Sequence, residues 1–126
     1  MVQRVADIMN PKLLYIREGD RLSLAKPKIL EFGITAVPVL DVDHRPVGVV
    51  SLRDLEHAEP KMSAPALTVR ASDAIPDAAR ALGESGVHHL VVVDDGGVAV
   101  GMVSAVDFVR ALVGLPAQHP KPFREY

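Results

Sequence analysis

The chain has 126 residues, 48% of them hydrophobic, and no cysteine; it is long enough for one compact domain or two very small ones, and it excludes disulfide frameworks, thiolate metal sites and a cysteine nucleophile. A formal net charge of −2, with basic residues scattered among the acids, leaves no stripe for a nucleic-acid backbone. No apolar run approaches the roughly 18 residues of a membrane span, and the first ten residues lack a signal-peptide layout, so a cytoplasmic protein with neither nucleic acid nor membrane as partner is expected.

In chain order, Val2–Met9 reads as a short lead helix and Leu14–Ile16 as a short extended piece. Asp20 offers a cap to a helix with Leu22, Ala25, Ile29 and Phe32 on one face; Pro27 lies well inside a helix begun there and predicts a late start or a kink. Ala36–Asp41 and Pro46–Ser51 follow as strands joined by the turn-rich Val42-Asp43-His44-Arg45, and a closing helix is predicted from Leu52. Glu56–Ala66, with Pro60 and Pro65, reads as a linker. The same order then returns. Leu67–Val69 is extended, and Asp73 offers a cap to a helix with Ile75, Ala78, Ala79 and Leu82 on one face, Pro76 in its first turn and Gly86 at its end. Strands Leu90–Asp94 and Val98–Ser104 are joined by Asp95-Gly96-Gly97, and a closing helix runs from Ala105 through Phe108, Val109, Leu112 and Val113. The tail from Gly114, with Pro116, Pro120 and Pro122, is expected to be irregular.

A shift of 53 residues aligns the chain with itself without a gap, giving 14 identities in the 47 pairs between 9–55 and 62–108, where composition alone gives about three. The polar and glycine identities (Asp20/Asp73, Gly33/Gly86, Asp41/Asp94, Gly48/Gly101, Ser51/Ser104, Asp54/Asp107) mark a repeated backbone geometry or a repeated contact. The expected fold is therefore α/β (α+β), with two β-α-β-β-α repeats at 9–58 and 59–113, a lead helix at 1–8 and a tail at 114–126. Three strands with helices on one face leave a second apolar surface, so the repeats are expected to pack sheet to sheet about a pseudo-twofold axis.

The runs Gly33-Ile-Thr-Ala-Val-Pro-Val-Leu-Asp41 and Pro46-Val-Gly-Val-Val-Ser-Leu-Arg-Asp54, with Gly86–Asp94 and Val100–Asp107 as their partners, resemble the two halves of a CBS-domain pair, or Bateman module. The resemblance covers residues 9–113. It implies a regulatory module that senses an adenosine-containing effector (AMP, ADP, ATP or S-adenosylmethionine), acts on a partner protein and forms a homodimer. Elementary chemistry supports the element Ser51-Leu-Arg-Asp54 and its copy Ser104-Ala-Val-Asp107. Each sits where a strand turns into a helix, beside free backbone N–H groups, and a carboxylate there can accept from both hydroxyls of a ribose. Ser-x-x-Asp is equally a helix capping box, and the two roles can coexist.

By the resemblance, Tyr15, Ile16, Thr35, Ala36 and Pro38 join Ser104 and Asp107 in one cleft, and Thr68, Val69, His88 and His89 join Ser51, Arg53 and Asp54 in the other. Adjacent residues entering a strand point to opposite faces, so one of His88 and His89 can face a ligand phosphate, the other reading being an exposed strand residue. Val91 stands where the first repeat has Pro38, and Val106 where it has Arg53, which gives the cleft with Ser51, Arg53, Asp54 and His88 more positive charge. The histidines show no metal-ligand spacing, and no nucleophile elbow, phosphate-binding lysine loop or His-Glu-x-x-His is present, so no catalytic residue, metal or required cofactor is expected. The alternative is a module without ligand that only dimerises or docks on a partner.

Overall fold

A computed structural model describes residues 3–118. Its elements in chain order are α1 (Val5–Ile8), β1 (Ile16–Arg17), a 3-10 turn at Leu22–Leu24, α2 (Ala25–Phe32), β2 (Ala36–Leu40), β3 (Pro46–Ser51), a 3-10 turn at Asp54–Glu56, β4 (Thr68–Arg70), α3 (Ile75–Ser85), β5 (His89–Val93), β6 (Ala99–Ser104) and α4 (Ala105–Leu112). The chain divides into two compact units. Leu14–Leu67 form one, and the segment up to Leu13 joins the chain from Thr68 onward in the other.

Each unit holds a three-stranded mixed sheet. In the first, β1 runs parallel to β2 and β2 antiparallel to β3; in the second, β4 runs parallel to β5 and β5 antiparallel to β6. β2 is buried along its whole length and β5 nearly so, which is why both read as continuous apolar runs rather than alternating ones. The first core gathers Ile16, Ala25, Ile29, Val37, Val39 and Val50. The second gathers Val5, Ile8, Val69, Leu82, Leu90, Val92, Val103 and Phe108, among others.

The late start of the first helix is observed. A 3-10 turn occupies Leu22–Leu24, so Pro27 falls in the first turn of α2, where a missing N–H leaves no bond unmade. Helices α2 and α3 each end on a glycine in the left-handed region, Gly33 at φ 64° and Gly86 at φ 73°. Three expectations are corrected. Neither Asp20 nor Asp73 caps a helix: α3 begins after Ala74, which makes no side-chain cap, and the Asp73 carboxylate instead accepts from the Arg70 N–H at 2.9 Å, closing the turn that leaves β4. Asp20 does the same to Arg17 N–H at 3.4 Å. The closing helix predicted from Leu52 is only the 3-10 turn Asp54–Glu56, because after Leu55 the residues Glu56-His57-Ala58-Glu59-Pro60 supply no apolar face to hold a second turn. The lead helix is confined to Val5–Ile8, with the N–H groups of Val5 and Ala6 donating to the carbonyls of Asp73 and Ala71 at 3.0 and 2.9 Å. Pro120 and Pro122 of the predicted tail, like Val2 of the lead, lie outside the described residues.

Two repeated residues, Met9/Met62 and Gly48/Gly101, have one explanation. Asn10 pairs with Met102 on β6, and a Cβ at Gly101 would stand 2.6 Å from the Asn10 carbonyl oxygen and 2.9 Å from Met9 Sδ. In the other unit Ser63 pairs with Val49 on β3, and a Cβ at Gly48 would stand 2.6 Å from Met62 Sδ and 2.9 Å from the Ser63 carbonyl oxygen. In each unit a methionine-led segment lies directly over a glycine of the third strand, at a distance that no side chain permits.

Candidate functional site

The two Ser-x-x-Asp elements sit where the sequence places them, each at the end of a sheet's third strand, and their geometry is the same. Ser104 N–H donates to Asp107 Oδ2 at 2.8 Å, Ser104 Oγ donates to the same oxygen at 3.0 Å, and Asp107 N–H donates back to Ser104 Oγ at 3.3 Å. The corresponding distances at Ser51 and Asp54 are 2.8, 3.0 and 3.3 Å. In both copies the serine ties down one carboxylate oxygen and leaves the other turned away from the box. Here the copies diverge. Asp107 is buried, at 4% exposure, and its Oδ1 accepts from Gln118 Nε2 at 2.8 Å. Asp54 is half-buried, and among the described residues no donor reaches its Oδ1.

Strand pairing brings the start of each second strand beside its own unit's box. Ala36 pairs with Ser51, and Leu52 N–H donates to the Thr35 carbonyl at 3.0 Å. His89 pairs with Ser104, and Ala105 N–H donates to the His88 carbonyl at 3.0 Å. Of the remaining candidates, Ile16 and Val69 are buried in β1 and β4, Pro38 is fully buried, and Thr35, Arg53, Thr68 and His88 are exposed. Tyr15 is half-buried with its ring edge-on to His44, the centroids 5.2 Å apart.

His89 is a histidine beside the second box whose ionisation its surroundings shift. Burial holds its imidazole below the ordinary value, the neighbouring His88 pushes it the same way, and the Asp107 carboxylate partly opposes both. The lowered value favours the uncharged imidazole at neutral pH, and the backbone N–H groups at the start of α4 bring partial positive charge to the box. An open recess of about 450 Å³ lies at the opposite end of the same sheet, lined by Thr68, Arg70, Asp73, Val93, Asp95 and Gly97 among others; neither Ser104 nor Asp107 borders it. Among the described residues no cluster of His, Asp or Glu is placed to hold a metal, and no helix is long and apolar enough to cross a membrane.

Two residues with clear roles escaped sequence reasoning. Asp41 and Asp94 appear there as identities and strand ends with no role, yet each organises its hairpin: Asp41 Oδ1 accepts from the N–H groups of Asp43 and Arg45, and Asp94 Oδ1 from those of Gly96 and Val98. Their spacing ahead of a turn is the signal that finds them. Gln118 has no such signal.

A family model described as the CBS domain matches the chain twice, over residues 5–61 and 58–114. The crystal structure of CBSX2 from Arabidopsis thaliana in complex with AMP is similar at 29% identity and a TM-score of 0.75, covering 88% of this chain and 96% of that one. The CBS-domain pair of protein MJ0100, in complex with 5′-methylthioadenosine and S-adenosyl-L-methionine, shares the fold at a TM-score of 0.81 and 20% identity, covering 90% and 98%. The homoserine O-acetyltransferase of Methanohalophilus mahii is 30% identical over 118 residues, 87% of this chain, and the chain spans only 24% of that enzyme's length.

Proposed function

The chain belongs to the CBS-domain family and carries the domain twice, and from that premise we propose that it is a ligand-sensing regulatory module for an adenosine-containing effector, not an enzyme. The observation that carries this reading is the pair of serine-locked carboxylates. With Oδ2 held by the serine, Asp54 and Asp107 each keep a second carboxylate oxygen, Oδ1, outside the box as the acceptor proposed for a ribose hydroxyl. AMP in the 29%-identical CBSX2 supports adenosine as the recognised group. Arg53, exposed beside Asp54, supplies a phosphate partner that Val106 does not supply beside Asp107, so the Asp54 box is read as the stronger of the two for ADP or ATP. Binding that differs between two states of the module shifts their populations, and a partner protein reads the shift.

Isothermal titration with AMP, ADP, ATP and S-adenosylmethionine tests the proposal. At least one is expected to bind and to raise the melting temperature, by the equivalent of about 2.7 kcal/mol at a hundredfold excess over Kd. Asp54→Ala and Asp107→Ala are each expected to abolish one class of site. No binding of any of the four, or binding indifferent to both substitutions, overturns it.

A second reading is favoured by one surface. Val106, Val109, Leu112 and Val113 of α4 and the residue after it are 56%, 59%, 61% and 67% exposed, and their spacing puts them on one side of the helix. We read this face as the contact of a homodimer. Light scattering is expected to give twice the monomer mass, and Val109→Glu half of that; a wild-type monomer at micromolar concentration refutes it.

A further inference from the structure

The carboxylate oxygen that Ser104 does not hold in the second box accepts from the chain itself. After α4, Gly114 takes φ 81° and reverses the backbone, with Leu115 N–H donating to the Arg110 carbonyl at 2.8 Å. The Arg110 guanidinium then grips the returning strand, donating from Nε and Nη2 to the Pro116 carbonyl at 3.1 and 2.8 Å. Two residues on, Gln118 Nε2 reaches Asp107 Oδ1 at 2.8 Å. An ionised carboxylate only accepts, so the amide nitrogen of Gln118 must face it. Hinge, clamp and plug thus come from three separate residues, and the plug lands on the one oxygen that Ser104 does not hold.

We propose that residues 114–118 form an intramolecular latch over the Asp107 box, in which the Gln118 carboxamide takes the place of a ribose hydroxyl and must leave before a ligand is bound. The proposal rests on the reading of Asp107 as a ribose acceptor. Oδ1 can accept two donors as Oδ2 does, but Asp107 is only 4% exposed, so with Gln118 seated on Oδ1 no open approach is left for a ribose hydroxyl, and the two compete for the same place. Among the described residues nothing equivalent covers the Asp54 box: the corresponding helix is a single 3-10 turn, and no donor among them reaches Asp54 Oδ1. The latch therefore makes the sites unequal. Asp54 is open to ligand at once, whereas the apparent affinity of the Asp107 site is reduced by the fraction of time the latch is closed.

The test uses the full chain and AMP as probe. Gln118→Ala removes the plug, and Arg110→Ala releases the clamp without touching the box. Both are expected to tighten AMP binding at the site abolished by Asp107→Ala, by about five- to tenfold for a latch closed 80–90% of the time, and to leave the site abolished by Asp54→Ala unchanged. Saturation with AMP is expected to speed hydrogen exchange at the Leu115 amide, whose bond to Arg110 belongs to the reversal. AMP binding that Asp107→Ala abolishes, with neither variant tighter and Leu115 protection unchanged or greater, overturns the latch and leaves the ribose reading standing. AMP binding indifferent to Asp107→Ala, or no AMP binding, overturns the ribose reading and the latch with it.

Discussion

The two Ser-x-x-Asp boxes are the same to a tenth of an ångström in three hydrogen bonds, yet one begins an eight-residue helix and the other a single 3-10 turn. A box satisfies the first N–H groups of a helix; it does not supply the energy that keeps the next turns folded. That energy comes from packing. Phe108 is 2% exposed in the second core, and Ala111 packs beside it, whereas the first repeat offers half-buried Leu55 and then Glu59 where the second has Leu112. Local motif and helix length are thus set by different parts of the sequence, and the burial of Asp107 against the half-exposure of Asp54 follows from the longer helix and the segment that returns over it.

Packing should therefore separate the two regions most. Phe108→Ala is expected to destabilise by about 3–5 kcal/mol and Leu55→Ala by about 1 kcal/mol, the half-buried side chain having less contact to lose; urea unfolding of the two variants measures the gap, and equal losses would break the account of helix length. The glycines under the methionine-led segments come next. At Gly101 the nearest obstacle is a backbone oxygen, and at Gly48 the end of a flexible methionine. Gly101→Ala is expected to cost about 2–3 kcal/mol and Gly48→Ala about 1–2 kcal/mol, with Met62→Ala relieving part of the second and Met9→Ala little of the first. The boxes themselves follow. Loss of the serine hydroxyl at Ser104 is expected to cost about 1 kcal/mol, and at Ser51 roughly half as much, since only one turn depends on it; thermal denaturation of Ser104→Ala and Ser51→Ala measures both.

How much of this was legible beforehand follows the same division. Period and identity reveal whatever is local and duplicated: the element order, the hairpins within 36–51 and 90–104, the stop at Gly86 and both boxes. Asp73 misled because an acid ahead of an apolar period has two uses, capping the helix that follows or closing the turn behind it, and Arg70 N–H claims the carboxylate first. The helix after Leu52 misled because the duplication invites the second copy's length to be read into the first, although Glu59 and Pro60 already argue against it. The placement of Met9 against Gly101 and of Gln118 on Asp107 depends on chain segments meeting across distances that no periodicity encodes. Among the candidate site residues, the serines and aspartates were legible because the capping geometry itself requires them.

The smallest effect concerns a position where the repeats differ by a charge. Ala36 in the first repeat corresponds to His89 in the second, and each pairs across the ladder with its box serine. Burial, reinforced by His88 and opposed by Asp107, lowers the His89 pKa in the folded protein. In the interval between that lowered value and the ordinary value of 6.5, the unfolded chain holds a proton that the folded chain does not. Stability from this group is therefore complete above the interval and declines as the pH falls through it, the opposite of a histidine held by a carboxylate alone. His89→Ala gives the second repeat the residue of the first, and it is expected to flatten the acid-side slope of melting temperature against pH while leaving the plateau above pH 7 nearly parallel to the wild type. An unchanged slope would assign the acid sensitivity to other groups. A steeper slope would mean that the Asp107 carboxylate, not burial, dominates at this imidazole and that the second box carries a cation the first one lacks.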